Sequence, residues 1–298
     1  MSASYRSGFA ALIGRPNAGK STLLNRLVCH KVAIISDKPQ TTRNKILGVL
    51  TTDTYQIVFL DTPGMHKPQH QLGDYMVKVA RAALAEVDVV IYVVDIAVEP
   101  GRGEEYIIDE LNKLSVPVIL VLNKVDLVGQ DELGRREQFL RARFNFKAVR
   151  AVSALEGTGV ADLPELIYEY LPPGPQYYPA DIVTDQPERF VMAELIREQV
   201  LQVTREEVPH AVAVVITELA RRPNDCLYVE AVIYVERESQ KGIIIGQGGL
   251  RLKEVGSQAR REIEALLGTK IFLNLRVRVK KNWRRQELAL RQLGYGEL

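Results

Sequence analysis

Two hydrophobic rhythms share the first 170 residues. Short apolar, β-branched runs at residues 8–13, 45–50, 55–60, 87–95, 116–122 and 147–152 have the length of buried strands. Stretches at 19–29, 73–85, 103–114, 131–143 and 159–170 instead space their apolar residues three and four apart, the period of an amphipathic helix. This βαβα order predicts a mostly parallel sheet covered by helices on both faces. The runs at 45–50 and 55–60 are separated only by "TTDT", too little for a crossover helix. They predict a hairpin, and with it one antiparallel strand at the sheet edge.

The pattern breaks at "LPPGPQYYP", residues 171–179, whose prolines and glycine cannot continue a helix. An extended linker is expected over 173–187, dividing a domain at 1–172 from a second at 188–298. The second has another order. Residues 188–203 predict a helix, 211–219 and 227–236 strands, 249–267 a helix, 271–279 a period-two strand and 281–293 a terminal helix. With "GIIIGQGG" as a turn between two helices, the order is α-β-β-α-α-β-α.

Composition adds limits. At 298 residues, 46% hydrophobic and 26% charged, the chain reads as a soluble protein of two ordinary domains. No apolar run approaches the roughly 20 residues of a membrane span, and "MSASYRSG" carries no signal-peptide core. Cys29 and Cys226 stand far apart without metal-ligand spacing and read as buried, reduced thiols. The net charge of +2 conceals an asymmetry: from Lys241 onward there are 13 Lys and Arg against 5 Asp and Glu, leaving an acidic body before it. A basic C-terminal quarter suggests nucleic-acid binding.

The candidate chemistry begins after the first strand. Gly14-Arg15-Pro16-Asn17-Ala18-Gly19-Lys20-Ser21-Thr22 fits G-x-x-x-x-G-K-[ST]. Backbone amides of such a loop surround phosphate oxygens, Lys20 supplies a cation, and the Ser21 hydroxyl suits Mg²⁺. Asp61-Thr62-Pro63-Gly64 follows a strand, so Asp61 can reach the same cation and the Gly64 amide a γ-phosphate. Asn123, Lys124 and Asp126 of "NKVD" end another strand, and the Asp126 carboxylate matches the N1–H and 2-amino donors of guanine. Ser153-Ala154-Leu155 ends a third strand, where backbone amides can meet guanine O6. All lie where open α/β sheets bind ligands.

In the second domain, Gly242-Ile243-Ile244-Ile245 leads into Gly246-Gln247-Gly248-Gly249 and a basic helix with Arg251 and Lys253. A G-x-x-G turn between helices admits a nucleic-acid backbone, and its apolar neighbours line a groove for about four unpaired bases. Lys280 and Lys281 are further candidates for phosphate contacts. Arg284 and Arg285 read equally as RNA contacts or a solvated face, and Trp283 as core or as a base-stacking residue.

Residues 8 to about 170 resemble the Ras-like GTPases of the translation-factor class on these motifs. The resemblance implies a GTP site with Mg²⁺ held by Ser21, Asp61 and a switch threonine in "QTTR", Thr41 or Thr42, with Thr42 favoured. Where Ras-like proteins carry a water-orienting glutamine, this chain has Met65. That departure implies slow intrinsic hydrolysis and leaves the catalytic group unassigned; His66 beside it is a loop histidine. Asn17 matches an asparagine that helps hold K⁺ in several such GTPases, and equally suits a turn with unusual dihedrals. The second domain resembles type II KH domains. The pairing of one G domain with one KH domain resembles the Era family of bacterial ribosome-assembly GTPases. It implies a GTP-driven switch of domain orientation, binding to the 3′ end of 16S rRNA on the 30S subunit, and a cytoplasmic, monomeric protein with loose peripheral contact to the cell membrane.

Overall fold

A computed structural model describes residues 5–65, 68, 70–222 and 226–296. Contacts divide the chain into two compact units, with the main boundary between Asp185 and Gln186; Ser36–Pro39 and the first residues of the second helix, through Tyr75, group with the second unit, and that helix is described with the first.

The first unit contains β1 (Arg6–Ile13), α1 (Lys20–Leu27), β2 (Ile46–Thr51), β3 (Tyr55–Asp61), α2 (Gln71–Ala85), β4 (Val89–Asp95), α3 (Arg102–Leu111), β5 (Val118–Asn123), α4 (Gln130–Arg141), β6 (Ala148–Val152) and α5 (Leu163–Tyr168). The strands form one sheet in the order β2-β3-β1-β4-β5-β6. All neighbours are parallel except β2 and β3, as the short "TTDT" connection requires. Its Thr52 hydroxyl accepts from the Tyr55 amide at 3.0 Å and closes the turn. Ala10, Ala11, Leu12 and Ile13 are all fully buried, as a central strand covered on both faces must be.

Strand β4 starts two residues later than its apolar run. Asp88 occupies that place, its Oδ2 accepting from the Phe9 amide at 2.8 Å, so a side chain closes the end of the ladder.

The proline-rich segment is extended but is not a free linker through Asp185. Ser7 Oγ donates to Pro175 O at 2.5 Å. The Val49 amide donates to Val183 O at 2.7 Å, and Thr184 Oγ1 donates to Leu47 O at 2.7 Å. Buried Gln56 anchors the middle: its Oε1 accepts from the Tyr177 and Tyr178 amides at 2.7 and 3.0 Å, and its Nε2 donates to Tyr178 O at 2.8 Å. A segment without helical or sheet partners satisfies its backbone on the sheet beside it.

The second unit contains α6 (Glu188–Val203), α7 (Val208–Ala211), β7 (Ala213–Arg221), β8 (Leu227–Val235), α8 (Glu238–Ile245), α9 (Leu250–Leu267), β9 (Ile271–Val279) and α10 (Glu287–Gln292). Its sheet runs β7-β8-β9, with β7 and β8 antiparallel and β8 and β9 parallel. Val255, Ala259 and Ile263, four residues apart, form the buried stripe of α9. The short α7 was not apparent in the sequence pattern. The two cysteines are unbridged but not buried as expected: Cys29, left-handed just after α1, is exposed and Cys226 half-buried.

The continuous helix expected over 281–293 does not form. Asn282 is left-handed (φ 51°) and Gln286 is extended. Between them, Trp283 is fully buried and its indole Nε1 donates to Ala211 O at 2.9 Å. Docking of one large side chain overrides helix propensity.

Removing the Gln56 anchor leaves two amides and a carbonyl without partners. Gln56→Ala is expected to cost the first unit about 2–3 kcal/mol, on the scale of unsatisfied buried polar groups. Urea unfolding measures this loss, and limited proteolysis measures release of residues 173–185.

Candidate nucleotide site and nucleic-acid groove

Helix α1 begins with an uncapped turn. Gly19 stands left-handed at its N-cap (φ 94°), no side chain caps it, and its first turn holds no acidic residue. The amides at this helix start are therefore oriented for an anion. A Cβ on Gly19 would lie 2.1 Å from Asn123 Nδ2, so no other residue fits. Asn17 is also left-handed, at φ 63°, and exposed. The turn therefore accounts for an asparagine at this position.

Lys20 Nζ donates to Arg15 O at 3.0 Å and is buried. Burial lowers its pKa, opposed by the charge of Asp61. Asp61 is also fully buried, and burial raises its carboxyl pKa against the pull of Lys20. Asp61 Oδ2 accepts from Ser21 Oγ at 2.5 Å, and Ser21 Oγ lies 2.8 Å from Thr42 Oγ1. The structure thus brings Thr42 into the cluster. Asp61 Oδ1 is buried with no hydrogen-bond partner. An orphaned carboxylate oxygen beside two hydroxyls is a donor set that fits Mg²⁺, which takes few protein ligands plus substrate phosphates.

The segment after Asp61 closes against the phosphate loop. Thr62 is buried, its hydroxyl donating to Leu12 O at 2.9 Å. Buried Pro63 leads to Gly64, where a Cβ would lie 2.5 Å from Pro16 N. The Met65 amide donates to Gly14 O at 3.0 Å. Its side chain is 1% exposed and belongs to the apolar core with Leu60 and Tyr92. His66 lies outside the described residues.

At the base end, Asn123 is buried and joins two loops. Its Nδ2 donates to Ala18 O at 2.8 Å and its Oδ1 accepts from the Ala154 amide at 2.9 Å. The Ala154 amide, expected to face guanine O6, is therefore committed to Asn123. Lys124 Nζ pairs with Asp95 at 2.5 Å. Asp126 is exposed at the mouth of this region. Ser153 Oγ accepts from the Glu156 amide at 3.2 Å, tightening the loop that exposes Leu155. Thr22 is half-buried on α1.

Two side chains stand differently from expectation. Arg15 turns away to α3, with Nη1 at 3.1 Å from both oxygens of Glu104. Arg26, which no motif marks, holds the base loop: its Nη2 donates to Leu155 O at 2.5 Å and its Nε to Ala154 O at 3.4 Å.

In the second unit, Gly246, Gly248 and Gly249 all have positive φ, at 72°, 59° and 79°. Gln247 between them is exposed. A Cβ on Gly248 or Gly249 would meet nothing within 4 Å, so the turn shows bare backbone. Arg251 Nη1 donates to Ile243 O at 2.5 Å and braces the turn from α9. Beside it runs a groove of about 480 Å³, lined by Gly249, Leu252, Lys253, Gly256, Ser257, Arg260, Phe272, Leu273 and Leu275.

Of the residues expected at the RNA site, Gly249 and Lys253 line this groove. Ile244 is wholly buried and belongs to the core. Gly242 and Ile243 are exposed and Ile245 half-buried on α8. Lys280 Nζ donates to Gln292 Oε1 at 2.5 Å, tying it to α10, and Lys281 is exposed. Arg284 is not simply solvated: its guanidinium binds Glu236 at 2.5 and 3.1 Å. Sequence reading missed the α9 face at 252, 256 and 260. Gly256 was its one signal, a mid-helix glycine where Leu275 approaches to 3.3 Å of a built Cβ.

Comparison with known proteins finds relatives of both units. A family model described as 50S ribosome-binding GTPase matches residues 9–124, and a KH domain model matches residues 207–284. A crystal structure of Era with MgGDPNP and nucleotides 1506–1542 of 16S ribosomal RNA is 40% identical, with a TM-score of 0.95 over 98% of this chain and all of that one. A variant of Aquifex aeolicus Era bound to GDP and AlF4⁻ is 39% identical, with a TM-score of 0.94 over 98% and 100% of the two chains. The chain belongs to the Era family. It is a GTPase of that family, with a Ras-like G domain followed by a KH domain.

Asp126 is the residue expected from the sequence to read guanine. Asp126→Asn replaces two charge-assisted hydrogen bonds worth about 1.5–3 kcal/mol each. The expected outcome is a loss of GTP affinity of at least about 100-fold on the same scale, with a gain for XTP, whose 2-oxo group accepts from the new amide. Competition binding with GTP, XTP and ATP measures it.

Proposed function

We propose that this protein is a slow GTP-driven switch that binds the 3′ end of 16S rRNA in its KH groove during assembly of the 30S subunit. The observation that carries this reading is the full-length match to Era holding a GTP analogue and 16S nucleotides, together with an open G-x-x-G backbone beside a groove. The 50S in the family model's description belongs to a match over residues 9–124 alone. The small-subunit reading rests on the match that includes the KH domain.

Ser21, Thr42 and Asp61 would hold Mg²⁺, which when bound withdraws charge from the β- and γ-phosphates. Lys20 and the loop amides bind and orient the triphosphate. Thr42 and Gly64 would engage a γ-phosphate from the two switch segments, and its loss would release them. Because the Met65 thioether is buried in the core, it cannot orient the attacking water, which supports slow intrinsic hydrolysis. Asn17 is exposed on the phosphate loop, and we assign it a K⁺ that supplies positive charge in place of an arginine finger. An rRNA partner puts the protein in the cytoplasm, where subunits assemble.

Hydrolysis rates in K⁺ and in Na⁺, each with and without an oligonucleotide of the 16S 3′ end, test the scheme. K⁺ and the RNA should each accelerate turnover, and Asn17→Ala should abolish the K⁺ effect. Gly248→Asp places a carboxylate at a left-handed position facing the RNA backbone. It should remove RNA binding and RNA stimulation while leaving basal hydrolysis intact. Equal RNA affinity in the GTP and GDP states would sink the switch.

A further inference from the structure

The KH sheet has a second face that the groove does not account for. Side chains alternate along β8 and β9, so Val229, Ala231, Ile233 and Val277 go into the core, while Tyr228, Phe272 and Arg278 share the other face. Tyr228 and Phe272 are direct cross-strand neighbours. Their rings stack at 5.8 Å with an interplanar angle of 10°, and Phe272 is 59% exposed. The Arg222 guanidinium lies 4.5 Å from the Tyr228 ring centroid. An exposed aromatic ring of this size, backed on one side by a stacked neighbour, presents its other π-face to solvent.

The charge on this face matches a phosphate backbone. Arg222 and Arg276 make long ion pairs with Glu218 and Glu230, at 3.9 and 3.5 Å. Exposed Arg278 and Lys280, whose Nζ is 6.0 Å from the Tyr234 ring, leave the face net positive. The face is also continuous with the groove. β9 is the edge strand of its sheet, and Phe272 lines the groove as well as stacking on Tyr228.

We propose that this face is a second RNA subsite: single-stranded RNA leaving the groove turns over the edge of β9 and stacks an unpaired base on Phe272. The inference rests on the groove binding RNA, as proposed above. A KH groove takes about four bases, and an aromatic platform with flanking arginines is how sheets hold further bases regardless of sequence. Tyr228 covers one face of the Phe272 ring and fixes its orientation, Arg222 backs the pair, and Arg278 and Lys280 meet the following phosphates.

The test uses the full-length protein and two fluorescent single strands, a tetranucleotide that fills the groove and a dodecanucleotide that extends beyond it. Phe272→Ala removes part of the groove wall as well as the platform, so it should weaken the dodecanucleotide by about 5- to 100-fold more than the tetranucleotide, the range of one lost base stack. Phe272→Trp should restore the longer strand. Equal weakening of both strands would make Phe272 only a groove wall and overturn the subsite. No effect on either would also overturn it, as expected of a face that serves a protein. Lys253→Ala provides the separate check, since it should weaken both strands. If the unaltered protein binds neither strand, the groove reading itself fails.

Discussion

The Asn123 carboxamide reaches from the end of β5 in two directions, donating to Ala18 O at 2.8 Å and accepting from the Ala154 amide at 2.9 Å. It thereby holds the phosphate loop and the base loop at one fixed separation, which a nucleotide spanning both requires. Gly19 must be a glycine because this side chain occupies the space a Cβ would take. Arg26 completes the frame from α1 through two carbonyls of the base loop. A carboxamide suits the position because it donates and accepts at once. An aspartate there could not donate to Ala18, and a leucine would strand two buried polar groups.

The second unit reaches preorganisation by another route. Its G-x-x-G turn is held in place from α9, by Arg251 on the Ile243 carbonyl, while the glycines leave the outward side bare. The ligand-facing surface therefore has few side chains to reorganise on binding, which reduces the entropy lost on association.

Much of this was legible in the sequence because its chemistry is local. The phosphate loop, Asp61 and the KH turn are short segments whose residue types each have one physical use, and the apolar rhythm placed nearly every strand. What escaped depends on partners distant in the chain. The Ala154 amide is committed to a residue 31 positions away, and Trp283 breaks the terminal helix to reach a carbonyl 72 positions away. The groove wall of Leu252, Gly256 and Arg260 exists only once α9 lies along β9, so the conspicuous isoleucines drew attention that belonged to the next helix. One of them, Ile244, is core.

Met65 carries a mechanical consequence. Its backbone amide bonds to the phosphate loop while its side chain lies among core residues, so the stretch from Asp61 to Met65 is riveted at its far end by oil-like packing. Extracting that thioether to water would cost about 1.5–3 kcal/mol. Release of Gly64 on loss of a γ-phosphate must therefore work against this packing at the next residue. A glutamine there could follow the nucleotide; a methionine makes the position a bearing.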